Sequence, residues 1–162
     1  MPPPLKFHQY FHSVKLFSVD IIAPMKKEFT EKLDKLINRK RSNSIYLINR
    51  ERYQDFIREI KEIKQKWNKD FDDYKMLSNY DVLEVNEKER LIKPKDESNP
   101  NIKFYVATDE LFGVLHTIHL LFNHPDKDRM DEELKTKYCN ISKEVIKIYI
   151  SCCSKCNDME TM

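Results

Sequence analysis

Apolar residues recur at spacings of three and four along two stretches in the first half of the chain. Between Pro24 and Arg39, the residues Phe29, Leu33, Leu36 and Ile37 share one face, so the spacing predicts a helix with Pro24 at its first position. RKRSNS then reads as a loop. From Asn49, a suitable N-cap, the residues Tyr53, Phe56, Ile57, Ile60, Ile63 and Trp67 form a longer stripe. Arg52, Glu59, Lys61, Glu62 and Lys66 fill the opposite side, and the plain reading of such a stripe is a core face. Near Asn79 the pattern changes to alternation. YDVLEVNEKERLIKP predicts a β-hairpin around Asn86, without the Asn-Gly turn that usually marks one, and it stops at Pro94. IKFYVA (102–107) predicts a third short strand. Thr108 is expected to cap a helix with Asp109 and Glu110 in its first turn, carrying Leu111, Leu115, Ile118 and Phe122 and ending at Pro125. Two more helices follow at about 128–137 and 142–150. The fold class is therefore mainly α with a small antiparallel β element. The chain divides into an N-terminal extension (1–23), a basic helical region (24–78), a small β segment (79–107), a three-helix bundle (108–157) and a tail (158–162).

Composition narrows the function. Of 162 residues, 40% are hydrophobic and 35% charged, with mean hydropathy −0.70. There is a single glycine, Gly113, so few turns with positive φ are expected. Phosphate-cradling loops need several glycines at fixed spacing, and none can be written here. No apolar run approaches the ~20 residues of a membrane span. The mildly apolar N-terminus is broken by Lys6, Lys15 and Asp20, which argues against a signal peptide and for a nuclear or cytoplasmic protein that is not secreted. Charge is uneven: residues 1–23 carry about +1, residues 24–78 about +5 and residues 79–162 about −4. Attraction for DNA should therefore lie in 24–78. Arg39-Lys40-Arg41 is a candidate phosphate or nuclear-import contact, although three basic residues in a loop are usually just solvated.

The candidate chemistry is concentrated late in the chain. All four cysteines, Cys139, Cys152, Cys153 and Cys156, fall in the last 24 residues, and three of the five histidines lie in LHTIHLLFNHP. Cys153 and Cys156 form Cys-x-x-Cys, the commonest spacing by which two thiolates reach one zinc ion. Two further ligands must come from upstream histidines. His116 and His124 are about 12 Å apart along a continuous helix, too far for one ion. Pro125 drives His124 out of the α region, so it can fold back over the last turn towards His119. The expected ligands are His119, His124, Cys153 and Cys156. His116 is the substitute if the helix ends early, and Cys152 offers a competing thiolate. A redox role for Cys-x-x-Cys would want a βα junction, which this site lacks. Cys139 reads as a buried hydrophobe or spare thiol. His8 and His12 stand at i, i+4 but lack companion ligands. The plain alternative is that the histidines and cysteines simply pack in a core.

The order helix with His, His, helix, helix, Cys-x-x-Cys resembles the His-His-Cys-Cys zinc-binding domain of retroviral and gypsy-type integrases. ELFGVLHTIHLLFNHPDKDRMDEELKTKYCNISKEVIKIYISCCSKC resembles most closely the integrase-derived part of the KRAB-A-domain-containing proteins. The resemblance covers roughly residues 79–157 and is weaker from about Asn43. It departs at Asn123, Pro125 and Asp126, where such relatives usually place glycines, and at Asn157, where glutamine is common. It implies one structural zinc ion, a transposable-element origin, and association with nucleic acid through residues 24–78. The other expectation it supports is a homo-dimer or protein-interaction module, without a small-molecule substrate. Integrases work with an Asp, Asp, Glu trio on a core beyond the zinc domain, and this chain ends six residues after Cys156. A catalytic role is therefore not expected. Metal binding is expected to drive the folding of 108–157.

Overall fold

The computed structural model describes residues 19–40, 46–98 and 100–160. His8, His12, Arg41 and most of the expected N-terminal extension lie outside the described residues. The described chain is predominantly helical, with one small three-stranded antiparallel sheet, as the patterning predicts. It forms two compact units, each assembled from separated stretches of sequence. Residues 19–40, 112–131 and 143–160 make a helical unit, and residues 46–111 and 132–142 make a sheet unit. The stretches 24–78 and 108–157 are each shared between them.

In the helical unit, α1 (Val19–Arg39) starts five residues earlier than expected and takes Pro24 inside it. A proline near a helix start removes a single i→i−4 bond, so the remaining turns can absorb it. Phe29, Leu33 and Leu36 are buried as the stripe predicts, while Ile37 is only half-buried. Their partners within the unit come from α4 (Leu111–Leu121), whose Phe112 ring lies 5.7 Å from Phe29, and from α6 (Lys143–Ser151), whose Tyr149 lies 6.2 Å from it.

The sheet unit opens with α2 (Arg50–Gln65), capped by Asn49, whose side chain accepts from the Arg52 N–H at 2.8 Å. Tyr53, Ile57, Ile60 and Ile63 are buried. Trp67 does not join them. The helix stops at Gln65, Lys66 turns extended, and Trp67 is left entirely in solvent. A further helix that the pattern did not predict, α3 (Phe71–Asn79), follows. It is short, and its Phe71 and Tyr74 are exposed, so it carries no amphipathic stripe. Its signal is local: Asp70 and Asp73 form a reciprocal capping box, and Asp73 also pairs with Lys66 at 2.8 Å.

The hairpin forms as expected, with β1 (Asp81–Val85) antiparallel to β2 (Lys88–Lys93) and Val82 opposite Leu91. Its two-residue turn uses Asn86 and Glu87, both at positive φ. That is the hairpin turn usually built with glycine. The third strand is shorter than 102–107: β3 is only Lys103–Phe104. Beyond it the Tyr105 N–H still donates to the Leu91 carbonyl of β2 at 3.0 Å, and the next partners come from outside the sheet. Asn140 accepts from the Val106 N–H at 2.8 Å and donates to its carbonyl at 2.9 Å, and the Thr108 N–H donates to Ile48 at 2.8 Å. These bonds satisfy the Val106 backbone and the Thr108 N–H without a further strand. Leu91 donates its N–H to the Tyr53 hydroxyl at 2.8 Å, tying β2 to α2. Thr108 is not a cap. It begins a 3-10 turn, Thr108–Glu110, preceded by Ala107. Asp109 and Glu110 instead hold Arg50, and Glu110 also holds Arg90 at 2.9 Å. The remaining helices are α5 (Lys127–Lys135), α6 (Lys143–Ser151) and α7 (Ser154–Glu160); the last occupies most of the expected tail.

Candidate metal centre

The end of α4 shows why His119 and His124 meet. The His124 N–H donates to the His119 carbonyl at 2.9 Å, and the Asn123 N–H donates to Leu120 at 3.2 Å. Asn123 sits at φ 55 and His124 at φ 57. This is a Schellman termination with Asn in the left-handed position usually held by glycine. In that motif the residue after the left-handed one packs back on the residue three before the helix end. Here those two residues are His124 and His119, and their rings stand 4.7 Å apart at right angles. The absence of glycine at Asn123 is therefore accommodated, since asparagine tolerates this region best among other residues.

The joint between α6 and α7 supplies the cysteines. The Cys152 and Cys153 N–H groups bond back to Tyr149 and Ile150, both at 3.0 Å, tightening the last turn of α6. The Asn157 N–H then bonds to the Cys153 carbonyl at 3.1 Å, which makes Cys153 the residue that starts α7. The Asn157 side chain donates to the Ser151 carbonyl at 2.6 Å and closes the joint. Cys156 lies in the first turn of α7.

All four groups converge within the helical unit. His119 Nε2 is 3.0 Å from His124 Nδ1 and 3.3 Å from Cys156 Sγ. His124 Nδ1 is 3.4 Å from Cys153 Sγ and 3.7 Å from Cys156 Sγ. Every pair of donor atoms lies within 4.8 Å, and the four could hold a metal ion. A tetrahedral zinc ion at about 2.0–2.1 Å from nitrogen and 2.3 Å from sulfur spaces its donors roughly 3.3–3.8 Å apart. The donor atoms sit close to that spacing, and two imidazoles with two thiols are a donor set suited to zinc.

Protonation fits the same chemistry. Burial lowers the pKa of His119 to about 4, helped by His124 and His116, so the ring is neutral at physiological pH. Burial, then Lys155, lowers that of His124. Neutral imidazole is the form that binds a metal. His119 is wholly buried, and its Nδ1 has no hydrogen-bond partner among the described residues. A ligating histidine usually donates from its second nitrogen. Here packing fixes the ring instead, with Tyr149 edge-on at 5.1 Å.

The alternatives lie outside the cluster. His116 places Nδ1 at 2.8 Å from the Tyr149 hydroxyl and stacks on Phe112 at 5.2 Å. The Cys152 thiol donates to the Ile148 carbonyl at 3.3 Å. Cys139 belongs to the sheet unit, where its thiol faces the Phe104 carbonyl at 3.5 Å. Tyr149 was not foreseen as part of the site. Its signal in the sequence is its place on the buried side of α6, four residues before Cys153.

A curated human protein is similar over most of the chain. Human KRAB-A domain-containing protein 2 is 38% identical over 136 residues, which is 84% of this chain. The chain spans 27% of that relative's length. No family model matches the sequence. No solved structure matches it either.

Proposed function

We propose that this chain is a non-catalytic, integrase-derived module in which one structural zinc ion is held by His119, His124, Cys153 and Cys156. The observation that carries the reading is the set of donor distances, 3.0–3.7 Å between neighbours, in a half-buried site on two separate segments. Bound zinc supplies a tetrahedral cross-link, and four protein donors leave no position open for a reacting water. The chain's own residues do the rest. The Schellman turn presents His124, Tyr149 orients His119, and Asn157 locks the cysteine joint. Elemental analysis of the purified protein tests this: one zinc per chain is expected, and none in Cys153→Ser/Cys156→Ser. A folded wild-type protein without zinc after purification in zinc-containing buffer would refute it.

The same proposal places nucleic-acid contact on the basic half of the sequence, at a narrower site than 24–78. Many of that region's cations are engaged internally, including Arg50, Lys61, Lys64 and Lys66. A groove on α1 and α6, lined by Lys32, Lys35, Asn38, Arg39 and Ile148, keeps two cations, Lys35 and Arg39, one turn apart. That spacing suits successive phosphates. Binding to duplex DNA should weaken steeply with salt and more gently in Lys35→Ala/Arg39→Ala, whose log–log salt slope should drop by about 2. Salt-insensitive binding, or a slope unchanged in the variant, would remove nucleic acid from the reading.

A further inference from the structure

We infer that Trp67, Phe71 and Tyr74 form a self-association surface through which two copies of this chain pair. Trp67 is the chain's single tryptophan. It is 101% exposed, Phe71 80% and Tyr74 61%, all within eight residues on the sheet unit. Nothing in the fold requires them there. α3 is anchored by its capping box and by half-buried Met76 and Leu77, which pack against the core of the sheet unit. Large exposed aromatics this close in sequence are the kind of residue that marks contact surfaces, where Trp and Tyr dominate binding energy.

The surrounding charges select the occupant. Lys64 pairs with Asp81, Lys66 with Asp73 at 2.8 Å, and the Lys69 ammonium donates to the Lys66 carbonyl at 2.9 Å. The patch is thus electrically balanced, unlike a surface for phosphates. Two exposed charges next to the aromatics, Asp72 and Lys75, make no ion pair among the described residues, not even with each other. They stand three residues apart on one flank of α3. When two such helices pack antiparallel about a two-fold axis, the same flank of each meets its mate, so an acid and a base on one flank are self-complementary. An axis near Tyr74 sets the two Tyr74 rings together and places Asp72 of each copy opposite Lys75 of the other.

The area agrees. With roughly 200 Å² per aromatic side chain, the exposed fractions amount to about 480 Å² per copy. A pair buries near 1,000 Å², the lower bound of a specific interface, so a concentration-dependent dimer in the ~micromolar range is expected. This inference does not depend on the metal reading.

Sedimentation velocity on the full zinc-supplemented chain, from about 1 to 200 µM, tests it alongside tryptophan emission. The mass should rise from 19.6 kDa towards double with concentration, while Trp67 emission shifts to the blue over the same range. Trp67→Ala/Phe71→Ala should weaken association at least 10-fold with unchanged melting, because neither side chain is buried. Asp72→Lys should also weaken it, and adding Lys75→Asp should restore it. Wild-type protein that stays monomeric at 200 µM, with water-exposed emission, overturns the inference. So does a dimer that Trp67→Ala/Phe71→Ala leaves intact, or a charge swap that fails to restore pairing.

Discussion

Replacing Cys156 with serine removes one of the four donors, and the structure says how far the damage should spread. Cys156 Sγ lies 3.3 Å from His119 Nε2 and 3.7 Å from His124 Nδ1. Zinc in 1,000-fold excess over its dissociation constant stabilises the site it binds by about 4 kcal/mol, so losing it removes that much from a native stability of about 5–15 kcal/mol. The helical unit holds roughly 60 described residues, and for that size 1 kcal/mol moves a melting point by about 4–8 °C. The expected drop for that unit is therefore at least ~15 °C. The unit includes α1, whose Phe29 packs on Phe112 and Tyr149. Backbone amides of Phe29, Leu33 and Leu36 should lose protection together with 112–124, in contrast to the boundary at residue 108 that the sequence suggests. Hydrogen exchange by mass spectrometry, with zinc measured on the same samples, reads both effects. If Cys156→Ser keeps its zinc, or sheds it while α1 stays as protected as in the wild type, the reasoning fails.

Four other outcomes follow from particular side chains. The Lys66 ammonium, with the Asp70 N–H, holds the Asp73 carboxyl below its usual range, so its contribution to the sheet unit is present above about pH 4 and is lost as pH falls through the lowered value. Asp73→Asn should flatten that acid-side loss in a melting-versus-pH series, and an unchanged slope would contradict it. Asn123→Val forces a β-branched residue to φ 55 and should lower stability by about 1–2 kcal/mol while weakening zinc binding, whereas unaltered melting would show that the Schellman turn is not needed. Gly113 lies inside α4, and apart from its chain neighbours and the helix's own backbone no described atom comes within 4 Å of where a Cβ would sit, so Gly113→Ala should add about 0.5–1 kcal/mol; a lower melting point would be the wrong sign. Burial pushes the Cys139 thiol up to about 11, so it should alkylate far more slowly at pH 8 in the folded protein than in urea, as mass spectrometry can follow.

What the sequence determined is local. The spacing of Phe29, Leu33 and Leu36, or of Tyr53, Ile57, Ile60 and Ile63, places one face of a helix in a core whatever packs against it. Asn49 caps because a short polar side chain before an apolar stripe has an N–H within reach. Pro125 keeps the chain from resuming α4, and His-x4-His with Cys-x-x-Cys could be recognised as four donors of zinc-compatible chemistry. Tertiary structure decided where each stripe ended and what it touched. Trp67 continues the helical spacing but falls after the helix stops, so periodicity alone counted it as core. α3 went unread because its stability comes from a capping box and the Lys66–Asp73 pair, not from an apolar face. The strand 102–107 shortens because Asn140 and Ile48, far along the chain, take the backbone bonds that a sheet neighbour would have taken. The arrangement of the site depends on a backbone state that residue types only weakly signal. Two successive positive-φ residues without glycine bring His124 onto His119, and the buried ring of Tyr149, thirty residues on, fixes the orientation.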